Sequence, residues 1–229
     1  MSPELPISAI LRQRIITKKI QFRAQDNISE VIGPGDLDLL IEEVSEKIER
    51  VLQSLVIDTA SDHNTHDTCR RVAKMFILEV FHGRYFPQPD LPATPKKISA
   101  SELTILGPIT VRGVCSHHLC PIMGRLWIGI LPSRSKRSIS LSKYVRLTNW
   151  VMSRPQIQEE AVVQLAQIIE HRISPDGLAI VMNADHSCIQ WREKGDDESR
   201  KTNSVMRGLF LTNSNLRKEF LSLIAMEQT

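Results

Sequence analysis

The sequence predicts an α+β fold, with helices early, strands in the middle and further helices packed over those strands. Three observations carry this expectation. Leu37, Leu40, Ile41, Val44, Ile48, Val51, Leu52 and Leu55 recur at helical spacing, with Glu and Lys between them. ASELTILGPITVRGVC (100–115) and GRLWIGILP (124–132) are rich in β-branched and aromatic residues. After these strands the helical period returns, in SISLSKYVRLTNWVMSR (138–154) and again from Pro155 to Ile173.

Residues 1–35 read as a basic, flexible N-terminal extension with some helical character. They carry Arg12, Arg14, Lys18, Lys19 and Arg23, and GPGD at 33–36 ends the segment. Residues 36–95 form an N-terminal helical region. Its first helix starts at Asp36, and a second runs through CRRVAKMFILEVFHG (69–83), with Gly83 placed to end it. YFPQPDLPATP (85–95) is too proline-rich for regular structure.

Residues 96–229 form the third region, the expected catalytic part. The helix near residue 140 has Ser140 or Ser142 as its cap, and Pro155 closes it and opens the next. SPDG (174–177) is a turn, and LAIVMNADHSCIQW (178–191) a strand. REKGDDESRKTNS (192–204) is a charged loop, and the last helix is capped by Asn213 or Ser214.

The chain has 229 residues, 41% hydrophobic and 24% charged, with a net charge of +3. That is an ordinary globular composition, and the charge is too small for a nucleic-acid protein. No apolar run reaches the roughly 20 residues of a membrane span. The N-terminus lacks the apolar stretch and cleavage site of a secretory signal. The expectation is an intracellular protein whose four cysteines, Cys69, Cys115, Cys120 and Cys188, are reduced.

The chemistry concentrates in two places. CSHHLC supplies Cys115, His117, His118 and Cys120; DHSC supplies Asp185, His186 and Cys188. Thiolate sulfur and imidazole nitrogen are the ligands zinc prefers, four protein ligands in a structural site and three in a catalytic one. Spacing leaves both open. Cys115, Cys120, Cys188 and one histidine would close a structural site. Cys115, His118 and Cys188 would leave an open one, with His117 and His186 free for proton transfer. Lys143 and Arg146 in LSKYVR share a helix face near its start, where an anion is favoured; Arg71 and Lys74 repeat that spacing. Gln158 and Glu159 sit just inside a helix start, where they would be dipole partners; a carboxylate there could equally accept two N–H bonds from a guanine edge.

Together RRVAKMF, CSHHLCPIMGRLWIGILP, LSKYVRL, RPQIQEE, DHSC with Arg192 beyond it, and SVMRGLF with LRKEFL resemble the GTP cyclohydrolase I family, in that family's order. The resemblance runs from about residue 36 to 225. It implies zinc (Zn2+) held by Cys115, His118 and Cys188, and catalytic histidines at His117 and His186. It implies guanine held by Gln158 and Glu159, and triphosphate contacts at Ser142, Lys143, Arg146, Arg192 and Arg71.

The implied fold is the tunnelling fold, an antiparallel sheet with helices packed on one face. It assembles as a toroidal homodecamer of two pentamers with active sites between subunits. The implied reaction is the hydrolysis of GTP to 7,8-dihydroneopterin triphosphate and formate, the entry to pterin and tetrahydrofolate synthesis, in the cytoplasm. The expected partners are GTP and further copies of the chain, with no nucleic acid and no membrane. The sequence departs from the family pattern at Ser116, where Glu is usual, and at Glu193, where Gly is usual. These departures support the alternative of a purine- or pterin-binding relative with altered or lost activity. A structural zinc module using Cys120 as a fourth ligand is the remaining reading.

Overall fold

The computed structural model describes residues 5–91, 94–95, 102–133, 137–191 and 200–226. The chain divides into two units, Met1–Pro87 and Gln88–Thr229.

In the first unit α1 spans Ile7–Lys18 and α2 spans Asp36–Ser54. Ile7, Leu11 and Ile15 are buried at i, i+4 and i+8, one face of a helix. Ile7 and Leu11 join Leu40, Ile41, Ala73 and Ile77 in one apolar cluster. Polar ties reinforce the seat. Ser8 donates from its N–H to Glu43 Oε2 at 2.8 Å and from its hydroxyl to Oε1 at 2.6 Å. Arg14 pairs with Asp36 and donates to the Val31 carbonyl at 3.0 Å. This part of the N-terminal extension is therefore a packed helix of the unit, not a free tail. The basic residues dominate a reading of the segment, but the apolar stripe decides its fate.

The expected second helix is broken into three parts. α3 covers Thr68–Lys74, a wider π-helical stretch follows over Met75–Val80, and α4 covers His82–Tyr85. Gly83 is buried inside α4 and ends nothing.

The second unit runs through β1 (Thr94–Pro95), β2 (Thr104–Val114), β3 (Pro121–Leu131), β4 (Arg137–Ser138), α5 (Leu141–Met152), α6 (Gln158–Ile173), β5 (Gly177–His186), α7 (Ser187–Gln190), β6 (Arg200–Gly208), α8 (Leu209–Thr212) and α9 (Ser214–Met226). Among the described residues β1 pairs with β4 alone. The other four strands form an antiparallel sheet in the order β2-β3-β5-β6.

Side chains alternate across this sheet, and both of its faces bury apolar groups. Leu126, Ile128, Leu178, Ile180 and Met182 pack with Leu147 and Val151 of α5 and Val162, Leu165 and Ile169 of α6. Trp127, Ala179 and Val181 point the other way and pack with Phe210, Phe220 and Ile224. The expectation of helices on one face is thus corrected, since α9 covers part of the second. Burial on both faces also explains why β3 and β5 read as continuous apolar runs. Gly129 permits this packing: a Cβ there would lie 2.8 Å from the Phe220 ring.

Three element boundaries differ from the sequence reading. Residues 200–204, expected as the end of a charged loop, belong with 205–208 to β6. It is a mostly polar edge strand, so it lacks the apolar run that marks a buried one. α6 starts at Gln158 and not at Pro155, because Pro155 and Gln156 run extended alongside Val114; Gln156 N–H donates to the Val114 carbonyl at 3.1 Å. The strand expected through Trp191 stops at His186, and Ser187–Gln190 coils into α7. At the C-terminus Asn213 is the cap, its Oδ1 accepting from the N–H groups of Asn215 at 3.0 Å and Leu216 at 3.1 Å.

Candidate metal and catalytic site

The turn joining β2 to β3 is six residues long, Cys115–Cys120. Cys115 N–H donates to the Cys120 carbonyl, and Leu119 N–H to the Cys115 carbonyl, both at 2.9 Å. Leu119 adopts a left-handed φ of 53° to close it. The turn buries Cys115 and leaves His117 and His118 at the surface. The β3–β5 register pairs Ile122 with His186, which brings the end of β5 beside the start of β3. α7 then curls back and carries Cys188, also buried.

The result is one cluster. The Sγ atoms of Cys115 and Cys188 and a ring nitrogen of His118 lie within 4.8 Å of one another. Burial, and after it the neighbouring Cys115 thiol, push the Cys188 thiol up from its ordinary value, which favours its protonated form. Two sulfurs and one imidazole form a donor set that suits zinc. Cys120 stands outside the cluster, its Sγ 3.6 Å from the His118 carbonyl oxygen. A group of three residues that could hold a metal, without Cys120, has the composition of the open arrangement.

His117 is exposed. Its backbone N–H donates to Cys115 Sγ at 3.4 Å, and its ring stands edge-on to that of His118 with centroids 6.2 Å apart. His186, the last residue of β5, is buried. Its Nε2 lies 2.8 Å from Oε1 of Gln158. Burial, then the nearby Lys201 ammonium, lowers the His186 pKa and favours the neutral ring.

Gln158 and Glu159 are neighbours at the start of α6 but serve different surroundings. Gln158 is fully buried, and its Nε2 donates to the carbonyls of Met182 at 3.1 Å and Lys201 at 3.0 Å. Glu159 reaches Lys201, with Oε1 2.5 Å from Nζ, while its Oε2 is buried without a hydrogen-bond partner among the described residues. The Lys201 ammonium holds this carboxyl below the usual range.

The remaining expected residues are more dispersed. Ser142, Lys143 and Arg146 lie in the first two turns of α5. Arg71 belongs to the first unit, where it donates to the Asn64 carbonyl at 3.2 Å. Arg192 and Glu193 fall outside the described residues. Lys201 is the residue that sequence reasoning missed. Its signal was hidden because the segment holding it read as loop. A cavity of roughly 570 Å³ lined by Met123, Arg125, Asn183 and Asp185 opens on the other face of the sheet, since Asp185 and His186 point oppositely along β5.

A sequence profile of GTP cyclohydrolase I matches residues 44–225. The chain belongs to the GTP cyclohydrolase I family. Curated members lie at similar distance across distant organisms. The GTP cyclohydrolase 1 of Aliivibrio salmonicida is 32% identical over 182 residues, covering 79% of this chain and 82% of the relative. That of Flavobacterium johnsoniae is 33% identical over 188 residues, 82% of each chain. That of Sulfolobus acidocaldarius is 31% identical over 191 residues, 81% of this chain and 90% of the relative. This family is one of hydrolases, and the α+β sheet described above is compatible with membership.

Proposed function

We propose that this chain is a zinc-dependent GTP cyclohydrolase I that converts GTP and water to 7,8-dihydroneopterin triphosphate and formate. The observation that carries this reading is the convergence of Cys115, His118 and Cys188 beside a buried, hydrogen-bonded His186. Zinc held by those three side chains would supply the Lewis acidity that makes a water molecule nucleophilic near neutral pH.

The chain's own residues do the rest. Glu159 presents a carboxylate to the N–H groups of the guanine edge, and a purine lacking those donors would leave it unpaired. Ser142, Lys143, Arg146, Arg192 and Arg71 take the triphosphate, and this remote binding places C8 where water adds. His186 and His117 move protons as the C8–N bonds break and C8 departs as formate. The opened base then rearranges at the ribose and recloses as the pterin.

The same reading assigns the tunnelling fold and a homodecamer of two pentamers, with more than one chain building each site. It places the reaction in the cytoplasm, at the first step of pterin and tetrahydrofolate synthesis. No helix among the described residues is long and apolar enough to cross a membrane, which is compatible with that placement.

The test is incubation of the zinc-loaded protein with GTP, followed by assay of formate and, after oxidation, of pterin fluorescence. Both products are expected. His186→Ala should keep its zinc and lose turnover. Zinc-loaded wild type that yields neither product contradicts the proposal.

A further inference from the structure

We infer that Gln158 is a positioning residue that fixes His186 in the tautomer with its proton on Nε2 and its lone pair on Nδ1. The inference rests on the proposal that His186 moves protons, but the arrangement can be measured without any turnover. It also differs from the guanine-holding role expected of Gln158 from sequence.

A carboxamide has two unlike ends, and here the surroundings decide which end faces which group. The Nε2 end of Gln158 lies 3.1 Å from the Met182 carbonyl oxygen and 3.0 Å from that of Lys201. Carbonyl oxygens only accept, so this end must be the NH2 group, with both hydrogens used. Turning the amide over would set its oxygen against two carbonyl oxygens in a place where Gln158 has no exposure to water. The oxygen end is therefore committed to the remaining neighbour, His186 Nε2, at 2.8 Å. That oxygen can only accept, so Nε2 must donate. A neutral imidazole carries one N–H, which leaves Nδ1 as the nitrogen able to take a proton.

The brace is anchored on three elements: Gln158 is the first residue of α6, Met182 lies in β5 and Lys201 in β6. Ring position and tautomer are thereby set together. Outer-shell partners that orient metal-ligating histidines are worth ~10- to 100-fold in metal affinity or activity, and a brace on a proton-transferring histidine beside the cluster is expected to act on the same scale. Groups that work through orientation change kcat, whereas groups that hold substrate equally in ground and transition states change KM.

The experiment uses the zinc-loaded full chain with 15N-labelled histidine, observed through long-range 1H–15N couplings at mildly alkaline pH. The His186 signals are identified by their loss in His186→Ala. Wild type is expected to show the Nε2–H form. Gln158→Leu should lose that bias, with kcat falling ~10- to 100-fold and KM for GTP little changed. An Nδ1–H form in wild type overturns the inference, as does a Gln158→Leu variant with unaltered spectrum and kcat. So does a variant that raises KM alone, which would return Gln158 to holding the base. If Gln158→Leu does not fold, the wild-type spectrum decides. A wild type that shows the Nε2–H form but does not turn over GTP supports the brace while defeating the proposed function.

Discussion

Lys201 on the edge strand β6 holds Glu159 on the first turn of α6, with Nζ 2.5 Å from Oε1. The Lys201 contact is the largest influence on the carboxyl, and it lowers the pKa. A lowered folded-state pKa means that the ionised group contributes stability above the ordinary carboxylate range, and that this contribution is lost as pH falls through the lowered value. If ionised Glu159 reads the guanine edge, GTP binding should weaken on the acid side. Lys201→Met should move that weakening to higher pH. Calorimetric titration of GTP across acid pH checks this, and superimposed profiles for the two proteins would contradict it. Both side chains are partly exposed, so stability at neutral pH should change by less than about 1 kcal/mol.

Cys120 is not part of the cluster of Cys115, His118 and Cys188 that could hold a metal. Cys115→Ser and Cys188→Ser should therefore lose bound zinc on gel filtration, while Cys120→Ser should keep it. Metal content per chain is the measurement. Loss of zinc from Cys120→Ser equal to that from Cys188→Ser would restore the closed structural site.

Gly129 sits under the Phe220 ring, with Phe210 also near. Gly129→Ala inserts a methyl group where a ring already lies, and overpacking of this kind destabilises by roughly 1–3 kcal/mol. Phe220→Ala, which empties the same place, should cost about 3–5 kcal/mol. Denaturant midpoints measure both. A neutral Gly129→Ala would show that α9 is not held against this face of the sheet.

Asp36 accepts from Gly33 N–H at 2.6 Å and pairs with Arg14 of α1. Burial raises its pKa, but the Gly33 N–H and Arg14 outweigh burial and lower it overall. By the same sign rule, its contribution is present above the ordinary carboxylate range and fades as pH falls through the lowered value. Asp36→Asn should flatten the acid limb of stability for the first unit and should cost roughly 1–3 kcal/mol at neutral pH. Equal pH slopes in the two proteins, read by denaturation followed at α1, would refute the link.

Much of the fold was legible because burial writes a period into sequence. The β3 and β5 runs are examples, as is the first half of the α2 stripe, where Leu40 and Ile41 are buried; further along, Val51 and Leu55 are exposed. Two short motifs rich in cysteine and histidine at strand ends pointed to a metal, but their spacing left the set of residues open; the family resemblance singled out Cys115, His118 and Cys188, and these are the three that the fold brings together. Other features left weaker marks. β6 is polar because it is an edge, so its alternation resembles loop. The coverage of the second sheet face depends on which way Trp127 and Phe220 point once α9 has folded back, a long-range event that no local window records. The inward turn of Gln158 was illegible for the same reason. Its partners Met182 and Lys201 lie 24 and 43 residues away along the chain.

The central claim is that the Cys115, His118 and Cys188 cluster supports the opening of GTP at C8. GTP labelled with 14C at C8, incubated with zinc-loaded protein, tests it most directly. Label should appear as formate with wild type and with Cys120→Ser, and not with Cys188→Ser. Label that stays in the purine with zinc-bound wild type, or formate released equally by Cys188→Ser, would contradict the account.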